Sequence, residues 1–211
     1  MRTGRGFERL VNFTDAVVAI ALTLLILPLV EVAGEIADQN EQVGHVLYEH
    51  RGEIIAFVVS FLVIWFLWMS HHQTLENFRG YNEPLMWVHM VWLLTVVSLP
   101  FSTQLLSTDS YSLGAAPLYV TTLLVSAIAL TGIALVGRHT PELLHADKPE
   151  VQRWLASPVS YFTIGVMVIA LAVAIIFPDA GVWGLILLLL ERPFNRVWAK
   201  IRHRPVPEPD V

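Results

Sequence analysis

The stretch Arg9-Leu-Val-Asn-Phe13-Thr14-Asp15-Ala16-Val-Val-Ala19-Ile20-Ala-Leu-Thr23-Leu24-Leu-Ile-Leu27-Pro28 decides the fold, because it sets two charges at one end of an otherwise apolar run. From Phe13 to Val32 that run has the length, about 20 residues, that a helix needs to cross a hydrocarbon layer of about 30 Å. The rest of the chain agrees with it. Of 211 residues, 55% are hydrophobic and only 15% are charged. An ordinary soluble domain is about 45–50% apolar and about 25% charged, so this chain has too little charge to cover a globule in water. The same figures exclude a disordered chain. The absence of cysteine removes disulfide frameworks, thiolate metal sites and thiol nucleophiles. A net charge of −5 argues against nucleic acid as a partner.

Moving outward from the first span, five further stretches bounded by charge or proline have the same character: 54–70, 84–106, 115–136, 159–177 and, after the turn Pro178-Asp179-Ala180-Gly181, the shorter 182–190. Six spans predict an all-α integral membrane protein. The charges then orient it, since Lys and Arg concentrate in cytoplasmic loops. With six spans, 12 of the 13 basic residues fall on one side, from Arg2, Arg5 and Arg9 through Arg79, Arg138, Lys148 and Arg153 to the basic stretch Arg192–Arg204. Only Arg51 falls on the other. Both termini are therefore expected in the cytoplasm of a cell whose plasma membrane holds the protein. The acidic loop from Glu31 to Glu53 then faces outward. Residues 1–203 read as a single six-span domain, and the Pro-rich tail 204–211 as disordered. The N-terminal run is too long for a secretory signal and lacks a small-x-small cleavage site, so it reads as a retained span.

Within the first span, Thr14 or Asp15 could cap a helix, since an acidic residue near an N-terminus is favoured by the dipole. Asp15 lies too far from Arg9 for an i,i+4 pair, so partners for these charges are expected on another helix. His71, His72 and Gln73, at the end of the second span, are within the choice. Beyond Asp15, Ile20, Thr23, Leu24 and Leu27 share one face. Such a stripe serves lipid contact or helix packing, and Ala16 and Ala19 beside it permit close approach by another helix. Pro28 removes an amide donor and leaves the Leu24 carbonyl without its usual partner, which predicts a kink near the outer end.

The motif Arg9-x-x-x-Phe13-Thr14-Asp15 resembles the Arg-x-x-x-Phe-Ser-Asp signature of the transmembrane protein 175 family of potassium-permeable channels, with threonine keeping the hydroxyl of serine. Trp68-Met-Ser-His71-His72, Leu85-Met-Trp87 and Leu99-Pro100-Phe101-Ser102-Thr103 extend the resemblance over about the first half of the chain. His89 stands where the family pattern has asparagine. The resemblance implies a homotetramer in the lipid bilayer whose first spans line a central pore, conducting potassium without a cofactor. It maps the constriction and selectivity element to Ile20, Leu24 and Leu27, with Thr23 as a hydroxyl beside a partly dehydrated ion. It implies that Arg9, Phe13, Thr14 and Asp15 brace the pore helix together with Trp68, His71, His72 and His89. No Thr-Val-Gly-Tyr-Gly filter occurs, so selection by aliphatic rings in a leak-type channel is the expectation.

Other classes are weaker. His71, His72 and His89 invite a metal site, but adjacent helical residues diverge by about 100°, so only one of the first two can face a common centre. No Ser/His/Asp, Gly-x-Ser-x-Gly or His-Glu-x-x-His arrangement supports an enzyme. The alternative to a potassium channel is a proton-coupled transporter or proton-permeable channel using His89 or the His71/His72 pair, since His89 is the near-interior exception among charges placed at span ends.

Overall fold

A computed structural model describes residues 4–39, 43–108, 114–156 and 161–176. Among the described residues the regular elements are helices, joined only by an isolated antiparallel bridge between Phe78 and Leu144. In chain order they are α1 (Gly4–Leu24), α2 (Leu27–Gln39), α3 (Val43–Glu49), α4 (Arg51–Leu75), α5 (Glu83–Thr108) and α6 (Ala115–His139). A 3-10 turn (Pro141–Leu143), α7 (Pro149–Ala156) and α8 (Phe162–Ile176) follow.

Four stretches are long and apolar enough to cross a membrane: Arg5–Val32, Arg51–Leu75, Glu83–Ser107 and Ala115–His139. They coincide with the first four expected spans. The fifth appears as α8, an apolar helix of 15 residues whose flanks lie outside the described residues. The expected sixth span, 182–190, and the tail 204–211 lie outside them entirely.

Two expectations need correction. Helix α1 begins at Gly4, more than two turns before Asp15, so Thr14 and Asp15 sit in the helix interior and cap nothing. The turns before the motif are packed too: Phe7 is buried in the hydrophobic core. The acidic segment after Glu31 is largely helical too, because α2 carries on beyond the span to Gln39 and α3 follows. The kink expected from Pro28 has as its nearest feature a break in the helix. Helix geometry lapses at residues 25–26, where the Ile26 amide turns to the Thr23 carbonyl at 3.3 Å, and it resumes at Leu27.

Helix α5 forms the centre, packed against α1, α4 and α6, with α8 on the far side of α6. Its inner face carries Leu85, Trp92, Val96 and Leu99, all fully buried, whereas Trp87, Leu94 and Phe101 project outward. An exposed apolar face on a long helix is what a lipid environment requires. Small residues allow α5 and α6 to approach closely. A side chain on Gly132 would meet Val88 Cγ1 at 2.9 Å, and one on Gly137 would meet Phe78 Cζ at 2.6 Å. Near the C-terminal end of α5 Thr103 donates to Ser60 Oγ at 2.8 Å, and the Tyr119 hydroxyl lies 3.3 Å from the same Ser60, so three helices share one buried hydroxyl cluster.

Below the spans the polar stretch after Arg138 is packed rather than merely connecting. Arg79 and His145 donate backbone N–H groups to Leu143 and Asn77, which ties the α4–α5 turn to the segment after α6. Val151 anchors α7 in the core. Arg138 donates to the Trp154 and Leu155 carbonyls at 3.0 and 3.3 Å and lies over the Trp154 ring, so one guanidinium satisfies the carbonyls that the end of α7 leaves open.

Candidate functional site

Helix α1 has two unlike faces. Thr14, Val18, Ala21 and Leu25 recur every three to four residues and are each less than 5% exposed. Opposite them, Arg9, Phe13, Ala16, Ala19, Ile20, Thr23, Leu24 and Leu27 are all exposed. Ile20 at 58% and Leu27 at 53% are as bare as the outward residues of α5, although α1 packs against both α4 and α5 through its other side. Thr23 returns its hydroxyl proton to the Ile20 carbonyl at 2.8 Å, which leaves the oxygen's lone pairs facing outward. The four residues expected at the constriction thus do share one free face. Leu27 belongs to α2, beyond the break, so its position depends on how the two helical pieces meet.

The buried face is held by a polar cluster near the start of the span. Thr14 Oγ1 lies 2.9 Å from the Leu10 carbonyl and 2.7 Å from His89 Nε2, and His89 Nδ1 lies 3.2 Å from His71 Nε2. Each hydroxyl or neutral ring has one proton to give. The assignment that satisfies all three contacts runs in one direction: His71 donates to His89, His89 donates to Thr14, and Thr14 donates to Leu10. All three side chains are buried. The His71 ring lies flat on Trp92, with centroids 3.8 Å apart and an interplanar angle of 11°. The chain therefore joins α1, α5 and α4, with each ring held by a neighbour as well as by its hydrogen bonds.

Asp15 is held separately. Trp68 Nε1 donates to its carboxylate at 2.8 Å. The indole is stacked on His72 at 5.2 Å and packed against Trp65 at 5.1 Å. The partner of Asp15 does come from α4, as expected, but it is the tryptophan of the Trp68-Met-Ser-His71-His72 motif rather than its histidines or Gln73. The geometry is set by the helix: Trp68 and His71 lie one turn apart on α4, so Trp68 reaches Asp15 directly while His71 reaches Thr14 through His89. His72 turns away from His71, as adjacent helical residues must, and faces Glu76 at 3.6 Å. Among the described residues no group of histidines and carboxylates has the makings of a metal site.

Six of the eight residues expected to brace α1 therefore come together: Thr14, Asp15, Trp68, His71, His72 and His89. Arg9 and Phe13 lie on the exposed face instead. Sequence inspection missed Trp92, whose stacking on His71 has no linear signal beyond an aromatic one turn after His89. It also missed the function of Thr103, which stood within a quoted motif but gains a partner only when α4 and α5 pack.

Residues 9–100 match the family described as the endosomal/lysosomal potassium channel TMEM175. This region is similar to TMEM175-family sequence. It spans both faces of α1 and the whole polar cluster that holds it. A curated potassium channel from Streptomyces collinus is 35% identical over 99 residues, which cover 47% of this chain and 47% of that protein. Another, from a Chryseobacterium species, is 23% identical over 111 residues, 53% of this chain and 54% of the relative. The likeness to these bacterial channels thus spans about half the length of each relative. The TMEM175 region includes Thr14 and His89, which hydrogen-bond directly, so the histidine at position 89 is tied to the hydroxyl of the first motif. The apolar helices, with the match over residues 9–100, support a multi-pass membrane protein whose matched region is similar to channel sequences.

Proposed function

We propose that the protein is a potassium-permeable channel of leak type whose pore is lined by α1 from each of four subunits. The observation that carries this is the two-faced first helix: one side is fixed by buried polar contacts, and the other leaves Ile20, Thr23, Leu24 and Leu27 exposed among the described residues. Four copies around an axis turn each such residue into a ring. Ala16 and Ala19 on that same side let the helices come close.

Rings of aliphatic side chains offer an ion no replacement for its hydration shell, so they gate by dewetting and favour the cation that sheds water at least cost. Potassium fits that description better than sodium, and discrimination is modest. The Thr23 oxygen, with its proton already given to Ile20, is the polar group available between the rings. Asp15, His71, His89 and Trp68 support the helix and do not line the pathway, because they lie on its packed side. That placement favours a channel over a proton-coupled transporter, in which ionisable groups would line the translocation route. Both termini are cytoplasmic, and the polar cluster marks the cytoplasmic end.

The test is current recording from the purified chain in planar bilayers under a potassium gradient. Currents should reverse near the potassium equilibrium potential without a coupled ion, and Ile20→Ala, Leu24→Ala or Leu27→Ala should alter conductance or selectivity. Strict stoichiometric coupling would overturn the channel class. Normal currents from all three alanine variants would remove the assignment of the pore face. Mass measurement in detergent should give four subunits.

A further inference from the structure

We propose that the cavity beside the break between α1 and α2 binds one dehydrated monovalent cation, which pins the break to α4 and α5. The site stands on the protomer alone; its consequence for conduction, through Leu27 on the far side of the break, rests on α1 lining the pore.

The cavity holds about 20 Å³, and it is lined by Leu24 and Pro28 at the break, Glu53 and Phe57 from α4, and Thr103 and Ser107 from α5. A water molecule needs about 10–15 Å³, so there is room for one particle of that size. A potassium ion stripped of its hydration shell is about as large as a water molecule. An organic ligand does not fit. Neither does a divalent ion, which keeps several waters or takes six or more oxygens.

The polar groups of the walls are rich in acceptors and poor in protons. Pro28 has no N–H to give the Leu24 carbonyl, the acceptor four residues before it. Thr103 shares its hydroxyl proton between Ser60 Oγ at 2.8 Å and the Leu99 carbonyl at 2.9 Å, and Ser107 gives its own to the Gln104 carbonyl at 3.0 Å. Each hydroxyl keeps lone pairs and has no second proton to donate. Glu53 adds a carboxylate on a side chain that is only 29% exposed. A water among these groups supplies two protons but leaves the carboxylate charge in place. A monovalent cation meets the same oxygens and cancels the charge, which a partly buried carboxylate needs. Broken membrane helices hold alkali cations in this manner, through carbonyls released where the helix unwinds.

The neighbouring charges leave Glu53 open to such a partner. Among the described residues it meets His50, Nδ1 to Oε1 at 3.0 Å, and a neutral imidazole supplies that hydrogen bond without a charge. Arg51, two residues before Glu53, is turned to the Tyr48 carbonyl at 3.0 Å and lies over the Tyr48 ring. His45 faces Glu49. A bound ion links the break to α4 and α5 at the point where proline has removed a hydrogen bond from the helix. It fixes the angle at which α2 leans, and Leu27 is carried with α2.

The experiment is thermal unfolding of the full chain in detergent, in potassium chloride or in choline chloride at the same ionic strength. Choline carries the charge but is too large for the cavity. With potassium at about ten times Kd, the midpoint should stand about 3–6 °C above that in choline. Glu53→Gln removes the charge, and Ala56→Leu fills the space, since Ala56 lines the same cavity. Each should lose at least about half of the increment, whereas Glu49→Gln, on an exposed residue outside the cavity, should keep it. Equal midpoints in the two salts overturn the site, as does an increment that survives in both cavity variants, which puts the ion elsewhere in the protein. Should the variants fail to fold, thallium(I) in place of potassium locates the ion in wild-type crystals by anomalous scattering: a peak in the cavity supports the site, and its absence there refutes it. Absence of potassium current in planar bilayers with the increment intact refutes the conduction reading and leaves the site standing, whereas normal currents with no increment refute the site alone.

Discussion

Replacing Trp68 with phenylalanine isolates one hydrogen bond and leaves most of the packing in place. Phenylalanine keeps an aromatic face for His72 and Trp65 but has no N–H for Asp15 Oδ1, which now accepts it at 2.8 Å. A hydrogen bond to a charged group contributes about 1.5–3 kcal/mol in folded proteins. Side-chain bonds between membrane helices average about 0.6 kcal/mol, because the separated helices find other partners. Asp15 is only half-buried, so water can replace part of what the indole supplied. The bond is charge-assisted yet partly wet, which puts the loss near 1.5 kcal/mol, with some further loss from the smaller ring. Reversible unfolding in mixed micelles measures the change, and a cycle with Asp15→Asn separates the two contributions. The cycle should show coupling of about 1 kcal/mol between positions 15 and 68. Additivity to within about 0.3 kcal/mol would refute the claim that Trp68 acts through Asp15 and leave the indole as packing alone.

Gly137→Ala should destabilise by about 1–3 kcal/mol, since the new methyl meets the buried Phe78 ring at 2.6 Å and the bridge to Leu144 limits its retreat; unfolding midpoints decide this. Thr103→Val removes the hydroxyl that donates to Ser60 while keeping the branched shape, and the same assay should show a loss of about 1 kcal/mol. Tyr119→Phe, whose contact to Ser60 is 3.3 Å long, should cost less than about 0.5 kcal/mol. Arg138→Lys keeps the charge but loses the planar fork that spans the Trp154 and Leu155 carbonyls, so amide exchange in α7 should quicken while the core of α5 and α6 keeps its protection.

The first four spans were legible because each apolar run must satisfy its backbone internally and be long enough to cross, and those demands leave a linear signature. The break near Pro28 has a similar linear sign: Pro28 cannot donate, whatever packs around it. Thr14 and Asp15 misled because a polar pair before an apolar run is also how a soluble helix begins. Here the helix extends past them to Gly4, and tertiary contacts from α4 and α5 meet their side chains instead of the helix's own amides. Trp68 was visible as part of a motif, but nothing in one dimension says that its N–H rather than His71 would meet Asp15. That choice follows from the angle at which two helices cross. His89 stood out as a near-interior titratable residue, and its contact with Thr14 depends on the register of α5 against α1, which periodicity alone does not fix.

The two faces of α1 bear on each other. Under the proposed function the exposed side of α1 meets identical copies and permeating ions, so the helix cannot be fixed from that side. Its orientation has to be set from behind. Apolar packing alone would set it weakly, since Val18, Ala21 and Leu25 could slide or rotate against a lipid-like surface with little change in buried area. Directional bonds from Thr14 and Asp15 to two different helices remove that freedom, as two points off the axis fix a rotation where one does not. Both bonds lie at one end, however, and the break at residues 25–26 lies between them and Leu27. Orientation should therefore be firmest at Ile20 and Leu24, within the same unbroken helix as the anchor, and loosest at Leu27. On this argument a perturbation of the anchor reaches Ile20 and Leu24 as a rotation, whereas the position of Leu27 is set by how α2 leans at the break.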